Sequence, residues 1–274
     1  MRNPKRKIAF VLAASDHGTM IVNRFDYRRV DERSGSGIGV GFQILEASSF
    51  DAGEVDTALS LLELRRKYFG DGVVGLDCGA NIGVHTIEWA KRMSGWGQVI
   101  AIEAQERVFY ALAGNIAVNN CFNARALNAA VAARSGTMKI PHPDYLTPAS
   151  FGSLELRQRE GVEFIGQPID YSEQKAVTIP TVAIDSLALP RIDLIKIDVE
   201  GMEIEAIEGA ASSLARCHPI LIVEAIKSDA AELSKVLQGH GYRLFGMGLN
   251  ILAIHETDKS LGHMQPAEKP AAAS

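Results

Sequence analysis

One short stretch, residues 73–83, constrains the fold of this chain more than any other part of its sequence. Its apolar run ends in Asp77, two glycines then bracket Asn81, and an amphipathic segment begins at Val84. An apolar run, a glycine turn and a helix start in direct succession are typical of a buried parallel strand followed by a helix. Glycine in such a turn lets the backbone approach a ligand that any Cβ would push away. We therefore predict the first unit of a nucleotide-binding α/β sheet.

The spacing of the turn and the position of the next acid predict which cofactor this sheet binds. Gly79, Asn81 and Gly83 form a Gly-x-Asn-x-Gly pattern, which lacks the third glycine of the dinucleotide-binding fingerprint. Glu103 closes the next apolar run, where an acid can accept hydrogen bonds from a ribose diol. No phosphate-binding lysine accompanies these acids, so the pattern favours S-adenosylmethionine (SAM) over NAD or ATP.

Composition and charge exclude several classes of protein. The 274 residues suffice for one large core with an appendage, and hydrophobic and charged contents of 47% and 22% are ordinary for a soluble globular protein. A net charge of −5 argues against nucleic-acid binding, which usually needs a basic surface. No apolar run reaches the roughly 18 residues that a membrane span requires. The sequence leaves a homo-oligomer open.

Cysteines and histidines give no metal-binding pattern. Cys78, Cys121 and Cys217 lack metal-ligand spacing, so we expect reduced thiols and a cytoplasmic protein. None of the seven histidines forms a His-x-His or His-x-x-x-His pair, so no dedicated metal site is expected. His85 follows the glycine turn, where it either packs on the loop or acts as a catalytic base.

Residues 1–70 are predicted to form an N-terminal extension, because they lack the alternation that follows. Strands are predicted at 20–23 and 40–45, and the spacing of apolar residues predicts a helix over 54–68. The glycine-rich run 35–41 invites a phosphate-loop interpretation, but it leads into a strand-like segment rather than a helix. A flexible hairpin loop is therefore the favoured interpretation.

From residue 73 the apolar pattern alternates regularly between strand and helix. Such alternation, followed by a terminal hairpin, fits a mostly parallel sheet that carries one antiparallel strand. The predicted strands are 73–77, 98–103, 126–132, 177–184, 193–198 and 219–224, the helices are 84–93, 107–119, 203–215 and 229–240, and the hairpin is 242–255. This domain spans residues 71–258, and the tail 259–274 is expected to be disordered.

The segment 141–171 interrupts the alternation with four prolines and many polar residues. Long segments without periodicity inside a compact domain are usually functional or mobile. We predict a lid over an acceptor pocket, with Tyr145, Phe151 and Tyr171 placed to stack on the acceptor. The alternative is a static excursion whose aromatic side chains anchor it to the core.

A second informative cluster, Ile-Lys-Ile-Asp-Val-Glu-Gly-Met-Glu, occupies residues 195–203. Period-two alternation along a strand puts Lys196 and Asp198 on one face. Asp198 and Glu200 then lie at the carboxyl end of the strand, where open α/β sheets bind ligands, so they are the candidate catalytic carboxylates. Lys196 either orients an acceptor oxygen or is a buried lysine paired with a carboxylate. The two carboxylates can also hold a divalent ion, although we expect activity without metal.

These motifs together resemble the FkbM family of SAM-dependent methyltransferases. The resemblance covers roughly residues 70–255 and is carried by the cluster 195–203 together with 76–83, 128–131, 151–154 and 183–185. It implies a Rossmann-like, seven-stranded methyltransferase sheet, mostly parallel with one antiparallel strand, and methylation of hydroxyl oxygens. The implied acceptors are sugars, polysaccharides and other small natural products such as polyketides.

The resemblance also implies roles for individual residues. The turn would surround the methionine portion of SAM, the second acid would bind the ribose, the third strand would meet the adenine, and the fourth strand would end beside the amino group and the reacting methyl. In that order, the implied residues are Asp77, Cys78, Gly79, Asn81 and Gly83, then Glu103, then Asn128 and Ala129, then Asp198. For Asn128, a hydrogen bond at a turn or strand end is the alternative.

The leading prediction is a SAM-dependent O-methyltransferase acting on a small-molecule or glycan acceptor, and two other functions stay open on the sequence alone. One is a SAM-binding interaction module without turnover. An NAD-dependent oxidoreductase is disfavoured by the missing third glycine. The acceptor itself is not readable, and its determinants are expected in 1–70 and 141–171, where the pattern is weakest.

Overall fold

The computed structural model describes residues 6–31 and 36–264, which we divide into an N-terminal part and a sheet-forming part. The N-terminal part comprises β1 (Phe10–Ser15), β2 (Gly18–Asn23), β3 (Arg28–Asp31), β4 (Ser36–Ile38), α1 (Val40–Ala47) and α2 (Ala52–Phe69). The sheet-forming part continues with β5 (Val73–Cys78), α3 (Val84–Arg92), β6 (Gly97–Glu103), α4 (Glu106–Val118), β7 (Ala124–Asn128), β8 (Ala130–Val131), β9 (Gly136–Ile140) and β10 (Val177–Val182). It ends with β11 (Leu194–Ile197), α5 (Glu203–Glu208), α6 (Ala211–Cys217), β12 (Ile220–Glu224), α7 (Ala230–Gly239), β13 (Tyr242–Met247) and β14 (Asn250–His255).

Seven strands form the central sheet in the order β13-β14-β12-β11-β5-β6-β7. Strands β12, β11, β5, β6 and β7 pair in parallel, whereas β14 is antiparallel to both of its neighbours. This confirms the predicted mostly parallel sheet with one antiparallel strand. The chain order reverses between β5 and β11, and open α/β sheets bind ligands at the carboxyl ends of strands beside such a reversal.

Helices cover both faces of the sheet, because its central strands are apolar on both sides. All six residues of β5 and all four of β11 are buried. On β11, Ile195 and Ile197 pack in the cluster that contains residues of α5, α6 and α7, whereas Leu194 packs with α2 and α3. The predicted period-two alternation of this strand is therefore confirmed, with Lys196 on the side of α2.

The predicted strand at 40–45 is wrong, because this segment belongs to α1. A carboxylate oxygen of Asp26 accepts the N–H of Gly41 and so caps the start of the helix from fifteen positions earlier in the chain. Gly39 has φ 143, and a Cβ there would lie 2.3 Å from the Asp26 carbonyl oxygen. The hairpin-loop interpretation of 35–41 fails with it, since this run leads into a helix; Gly35 itself lies outside the described residues.

Two further elements are divided where the sequence predicted one. The strand predicted at 126–132 is split into β7 in the central sheet and β8 in a smaller sheet of order β8-β10-β9. The helix predicted at 203–215 is broken between α5 and α6, where a Cβ on Gly209 would lie 2.3 Å from the Ala132 carbonyl oxygen. Asp185 accepts the N–H groups of Ser212 and Ser213, which restarts the helix.

The tail is ordered further than predicted. Residues 259–263 form a 3₁₀ turn, anchored by the buried ion pairs of Arg65 with Asp193 and Asp258. The rest of the predicted disordered tail, 265–274, lies outside the described residues. Among the helices of the described residues, none combines the length and the apolar character needed to cross a bilayer.

Candidate functional site

A cavity of about 460 Å³ opens at the carboxyl ends of the central strands. Its floor carries one acid from each of four adjacent strands: Asp77 of β5, Glu103 of β6, Asp198 after β11 and Glu224 of β12. The first three are among the residues predicted from the sequence, and Glu224 is not. The same signal would have found it, because Glu224 also closes a buried apolar strand.

Packing by itself requires glycine in the turn, and the approach of a ligand to its backbone stays a prediction. Gly79 and Gly83 have φ 80 and 93, and Asn81 has φ 50, so the turn is left-handed at all three positions. A Cβ on Gly79 would lie 1.7 Å from the Asp198 carbonyl oxygen, and one on Gly83 would lie 2.6 Å from Leu112. All three turn residues still line the cavity.

Asp77 and Cys78 are the last two residues of β5, and only the first of them lines the cavity. Asp77 lines the cavity, and one of its carboxylate oxygens accepts a hydrogen bond of 2.6 Å from the Thr86 hydroxyl. Cys78 is fully buried and does not line the cavity, and burial raises the pKa of its thiol. The Cys78 side chain is therefore directed away from the cavity, and a role of this residue in cofactor binding stays a prediction.

Glu103 both braces the turn and faces the cavity. Its two carboxylate oxygens accept the N–H of Asn81 at 3.0 Å and the N–H of Gln105 at 2.8 Å. Burial is the main reason why the pKa of this carboxyl rises to about 7, and the nearby charges of Asp198 and Asp77 add to it. A carboxylate oxygen has more than one lone-pair position, so Glu103 retains acceptor capacity toward the cavity.

Asn128 is occupied by the backbone. Its side-chain amide donates to the carbonyl oxygens of Glu103 at 2.8 Å and Ala104 at 3.1 Å, and the residue does not line the cavity. Asn128 therefore forms the strand-end hydrogen bonds of the alternative interpretation. Its contact with adenine stays a prediction. Ala129 does line the cavity, within an apolar wall formed by Ile82, Ile102, Ala129, Ala130, Val131, Leu154 and Leu156.

Lys196 is buried and lies at the centre of a polar chain. Its Nζ atom is 2.8 Å from a carboxylate oxygen of Asp198 and 4.0 Å from Glu54, which is in turn 3.2 Å from Nε2 of His85 and hydrogen-bonded by Asn250. Burial opposes the charge of Lys196, but the carboxylates of Asp198 and Glu54 outweigh it and raise its pKa. Lys196 is thus a buried lysine paired with a carboxylate, as one interpretation of the sequence had it. It also lines the cavity, so the other interpretation, that it orients an acceptor oxygen, stays open.

Three carboxylates converge at the end of the cavity beside β11 and β12. Oxygen atoms of Asp198, Glu200 and Glu224 lie within 4.8 Å of one another. Burial and then the charge of Asp198 raise the pKa of Glu200 well above its usual range and that of Glu224 to about 7. Lys227 pairs with Glu200, whereas Oε2 of Glu224 has no hydrogen-bond partner among the described residues. Carboxylates this close also suit a divalent ion, so the absence of a metal site stays a prediction.

The two segments expected to determine the acceptor both form walls of the cavity. The segment 141–171 contributes Ser150, Gly152, Ser153, Leu154, Leu156 and Glu163, and the N-terminal part contributes Ile38, Gly39, Val40, Gln43, Phe50 and Asp51. Tyr145 and Phe151, however, are buried in the core and do not line the cavity. The predicted stacking of these two rings on an acceptor is therefore wrong, because they anchor the segment instead.

Comparison with known proteins identifies one family. The family model described as the methyltransferase FkbM domain matches residues 77–244, which include the glycine turn and the four acids of the cavity floor. No curated protein sequence matches the chain significantly.

Several solved methyltransferase structures are similar at low sequence identity. Methyltransferase FkbM from Methylobacillus flagellatus is 17% identical over 70% of this chain and 48% of that one, with a TM-score of 0.46. Precorrin-6y C5,15-methyltransferase from Geobacter metallireducens is 15% identical over 76% and 90%, with a TM-score of 0.44. A SAM-dependent methyltransferase from Aquifex aeolicus is 15% identical over 75% and 97%, with a TM-score of 0.35. This chain thus spans about half the length of the first of these proteins.

Proposed function

The chain belongs to the FkbM family of SAM-dependent methyltransferases, and from that membership we propose that it methylates a hydroxyl oxygen on a sugar, polysaccharide or other small natural product. The observation that carries the choice of oxygen is Glu224, a carboxyl that lines the cavity and has a pKa of about 7. A neutral hydroxyl must lose its proton as it is methylated, and a base works best when its pKa is near the working pH.

The cavity fits SAM at its inner end. It lies at the carboxyl ends of β5 and β6, and its volume is in the range of small-molecule sites. Glu103 offers acceptor capacity for a ribose diol, the left-handed turn from Gly79 to Gly83 borders the same space, and Ala129 belongs to an apolar wall suited to an adenine ring. When bound, SAM supplies an electrophilic methyl group on a sulfonium.

Lys196 and Asp198 are proposed to orient the reacting groups. Lys196 holds the carboxylate of Asp198 in place through their 2.8 Å contact, and Asp198 lines the cavity at the end of β11. A carboxylate there can bind a cofactor ammonium or accept a hydrogen bond from the acceptor hydroxyl. Positioning of this kind reduces the entropic cost of bringing two reactants into line.

Glu224 and Glu200 are the proposed proton acceptors. Both have a raised pKa and lie beside Asp198. Glu200 is held by Lys227, whereas Glu224 is not paired in this way and lines the cavity, so Glu224 is the better placed base. Glu224 would take up the proton that the acceptor hydroxyl loses as its oxygen is methylated.

The setting proposed for this reaction is the cytoplasm, with no nucleic-acid partner. The three cysteines form no disulfide in the structure, and two of them are buried. Free buried thiols suit a reducing compartment, and the net charge of −5 disfavours a nucleic-acid surface. The number of subunits stays open.

The proposed function is tested with methyl-labelled SAM and an extract of the organism that encodes the chain. We expect a labelled product heavier by one methyl group whose label survives alkali, as an ether does and an ester does not. SAM binding without any labelled product would instead favour the interaction module, and an alkali-labile or amine-linked label would exclude a hydroxyl acceptor. Glu224→Gln should slow transfer about a hundredfold or more while SAM still binds.

A further inference from the structure

We propose that the acceptor is uncharged where it enters the cavity and carries an apolar portion that rests at the cavity mouth. This inference rests on the proposed function and narrows its substrate class to amphipathic hydroxyl compounds, such as a neutral sugar on an apolar aglycone. It excludes uronates, phosphorylated sugars and other anionic glycans. Two independent features carry it, namely the charge of the inner wall and the exposed side chains around the opening.

The inner wall carries more carboxyl groups than cations. Seven lining residues are acids, Asp51, Asp77, Glu103, Glu163, Asp198, Glu200 and Glu224, and two are lysines, Lys196 and Lys227. No arginine is among the lining residues in the described part of the chain. Asp77 and Glu103 are assigned to the cofactor end and Asp198 can bind the cofactor ammonium, so four of the seven acids remain for the acceptor end.

Both lysines are already engaged. Lys196 lies against Asp198 and Glu54. Nζ of Lys227 pairs with Glu200, lies 3.3 Å from Glu163 and donates to the Ser153 carbonyl oxygen at 2.9 Å. Two of these contacts are hydrogen bonds and the third is an ion pair, so the charge of Lys227 is already offset by the carboxylates of Glu200 and Glu163.

An anionic acceptor would therefore lose its hydration in the cavity without gaining a free cation. Bound SAM carries a sulfonium, an ammonium and a carboxylate, so it adds only a single net positive charge. Juxtaposed like charges are strongly unfavourable when they are partly desolvated. A neutral hydroxyl group, by contrast, can donate a hydrogen bond to Glu224, which lines the cavity.

The mouth of the same cavity is apolar. Ile38, Ile226 and Leu249 all line the cavity, and they are 39%, 55% and 70% exposed. They come from three separate segments, namely β4, the loop after β12 and the turn between β13 and β14. A single exposed apolar side chain is ordinary, but three that converge on one opening form a surface that a ligand covers. The apolar portion of the acceptor supplies that cover.

The charge of the acceptor is tested on labelled products. The full chain is incubated with methyl-labelled SAM and cell extract, and the products are partitioned between butanol and water and then passed over an anion exchanger at pH 8. We expect at least about tenfold more label in the butanol-soluble, unretained fraction than in the retained one. Label that is retained, or that stays wholly in water, overturns this inference and leaves the methyltransferase function intact. No label in any fraction overturns the proposed function and this inference with it.

The apolar mouth is tested with Leu249→Ser and the matched control Phe122→Ser. Phe122 is 93% exposed and does not line the cavity. With the labelled acceptor purified, Leu249→Ser should raise its KM about tenfold and leave SAM affinity unchanged. Phe122→Ser should change neither. An equal KM for wild type and Leu249→Ser contradicts the role of the mouth, and a loss of SAM affinity would assign Leu249 to the cofactor instead.

Discussion

The ammonium nitrogen of Lys196 lies 2.8 Å from a carboxylate oxygen of Asp198, which follows it by two positions at the end of β11. Lys196 is 7% exposed, and the carboxylate of Glu54 lies 4.0 Å away on its other side. One buried cation therefore joins the end of β11 to the N-terminal helix α2. The cavity floor and the N-terminal part depend on each other through this residue.

We expect a substitution of Lys196 to lower the free energy of unfolding of the protein and to stop methyl transfer. Lys196→Met leaves the carboxylates of Asp198 and Glu54 without their countercharge, and removing one partner of a buried ion pair typically costs about 3 kcal/mol. Urea unfolding measures this cost. Lys175→Met is the control, because Lys175 pairs with Asp170 on the surface and should change stability by less than about 1 kcal/mol. Equal stability of the two variants would mean that Lys196 is not the countercharge.

Glu103 is expected to bind the cofactor. Glu103→Ala should lower SAM affinity about ten- to a hundredfold, because a hydrogen bond to a charged group contributes about 1.5–3 kcal/mol. Since Glu103 also accepts the N–H groups of Asn81 and Gln105, the variant Glu103→Gln separates the charge from the bracing of the turn. Calorimetric titration of both with SAM is the measurement. Unchanged affinity in a folded Glu103→Ala protein contradicts the assignment, and Glu106→Ala on the exposed start of α4 serves as control.

The pH dependence of stability should change when Glu224 is replaced. Its pKa is about 7 in the folded protein and ordinary in the unfolded chain, so the unfolded chain releases this proton first as pH rises. Its contribution to stability is therefore complete below about pH 4.5 and is lost as pH rises through 7. Relative to wild type, Glu224→Gln should gain about 2 kcal/mol of unfolding free energy between pH 5 and 8. Glu208→Gln, at the exposed end of α5, should show no such trend, and a flat difference for Glu224→Gln would place its pKa near normal.

Methyl transfer is expected to survive EDTA. The cysteines and histidines have no metal-ligand spacing, and Lys227 already pairs with Glu200. Asp198, Glu200 and Glu224 are nevertheless close enough to share an ion. Activity measured after chelation, and again after adding magnesium, decides between these outcomes. Loss on chelation with recovery on magnesium would show that the three carboxylates bind metal.

The structure limits the part of the segment 141–171 that can act as a lid. Phe151, Leu154, Leu156 and Ile165 are buried and packed in the core, so we expect only residues 157–164 to open. We expect fast amide exchange at 157–164, slowed by SAM together with the acceptor, and protection at 149–154 even without ligands. Strong protection of 157–164 in the free protein would show a static wall.

The sequence by itself determined the central sheet and most of its floor. Buried parallel strands are apolar along their whole length, and an acid that closes such a run stands out against it. The apolar runs alone therefore place Asp77, Glu103 and Asp198 at one edge of the sheet, and Glu224 follows the same rule. The lysine pairing of Asp198 was also among the sequence alternatives, because period-two alternation puts Lys196 on the same face.

Only the tertiary structure decided the features that depend on distant partners. Asp26 caps α1 across fifteen positions and turns an apparent strand into a helix. The Ala132 carbonyl oxygen leaves no room for a Cβ on Gly209, and the backbone around Glu103 occupies the amide of Asn128. The cavity likewise joins β4, α1, the segment 141–171 and the β13–β14 turn. Local propensity depends on residues that are neighbours in the sequence, whereas helix caps, close backbone approaches and cavity walls form only when remote segments pack together.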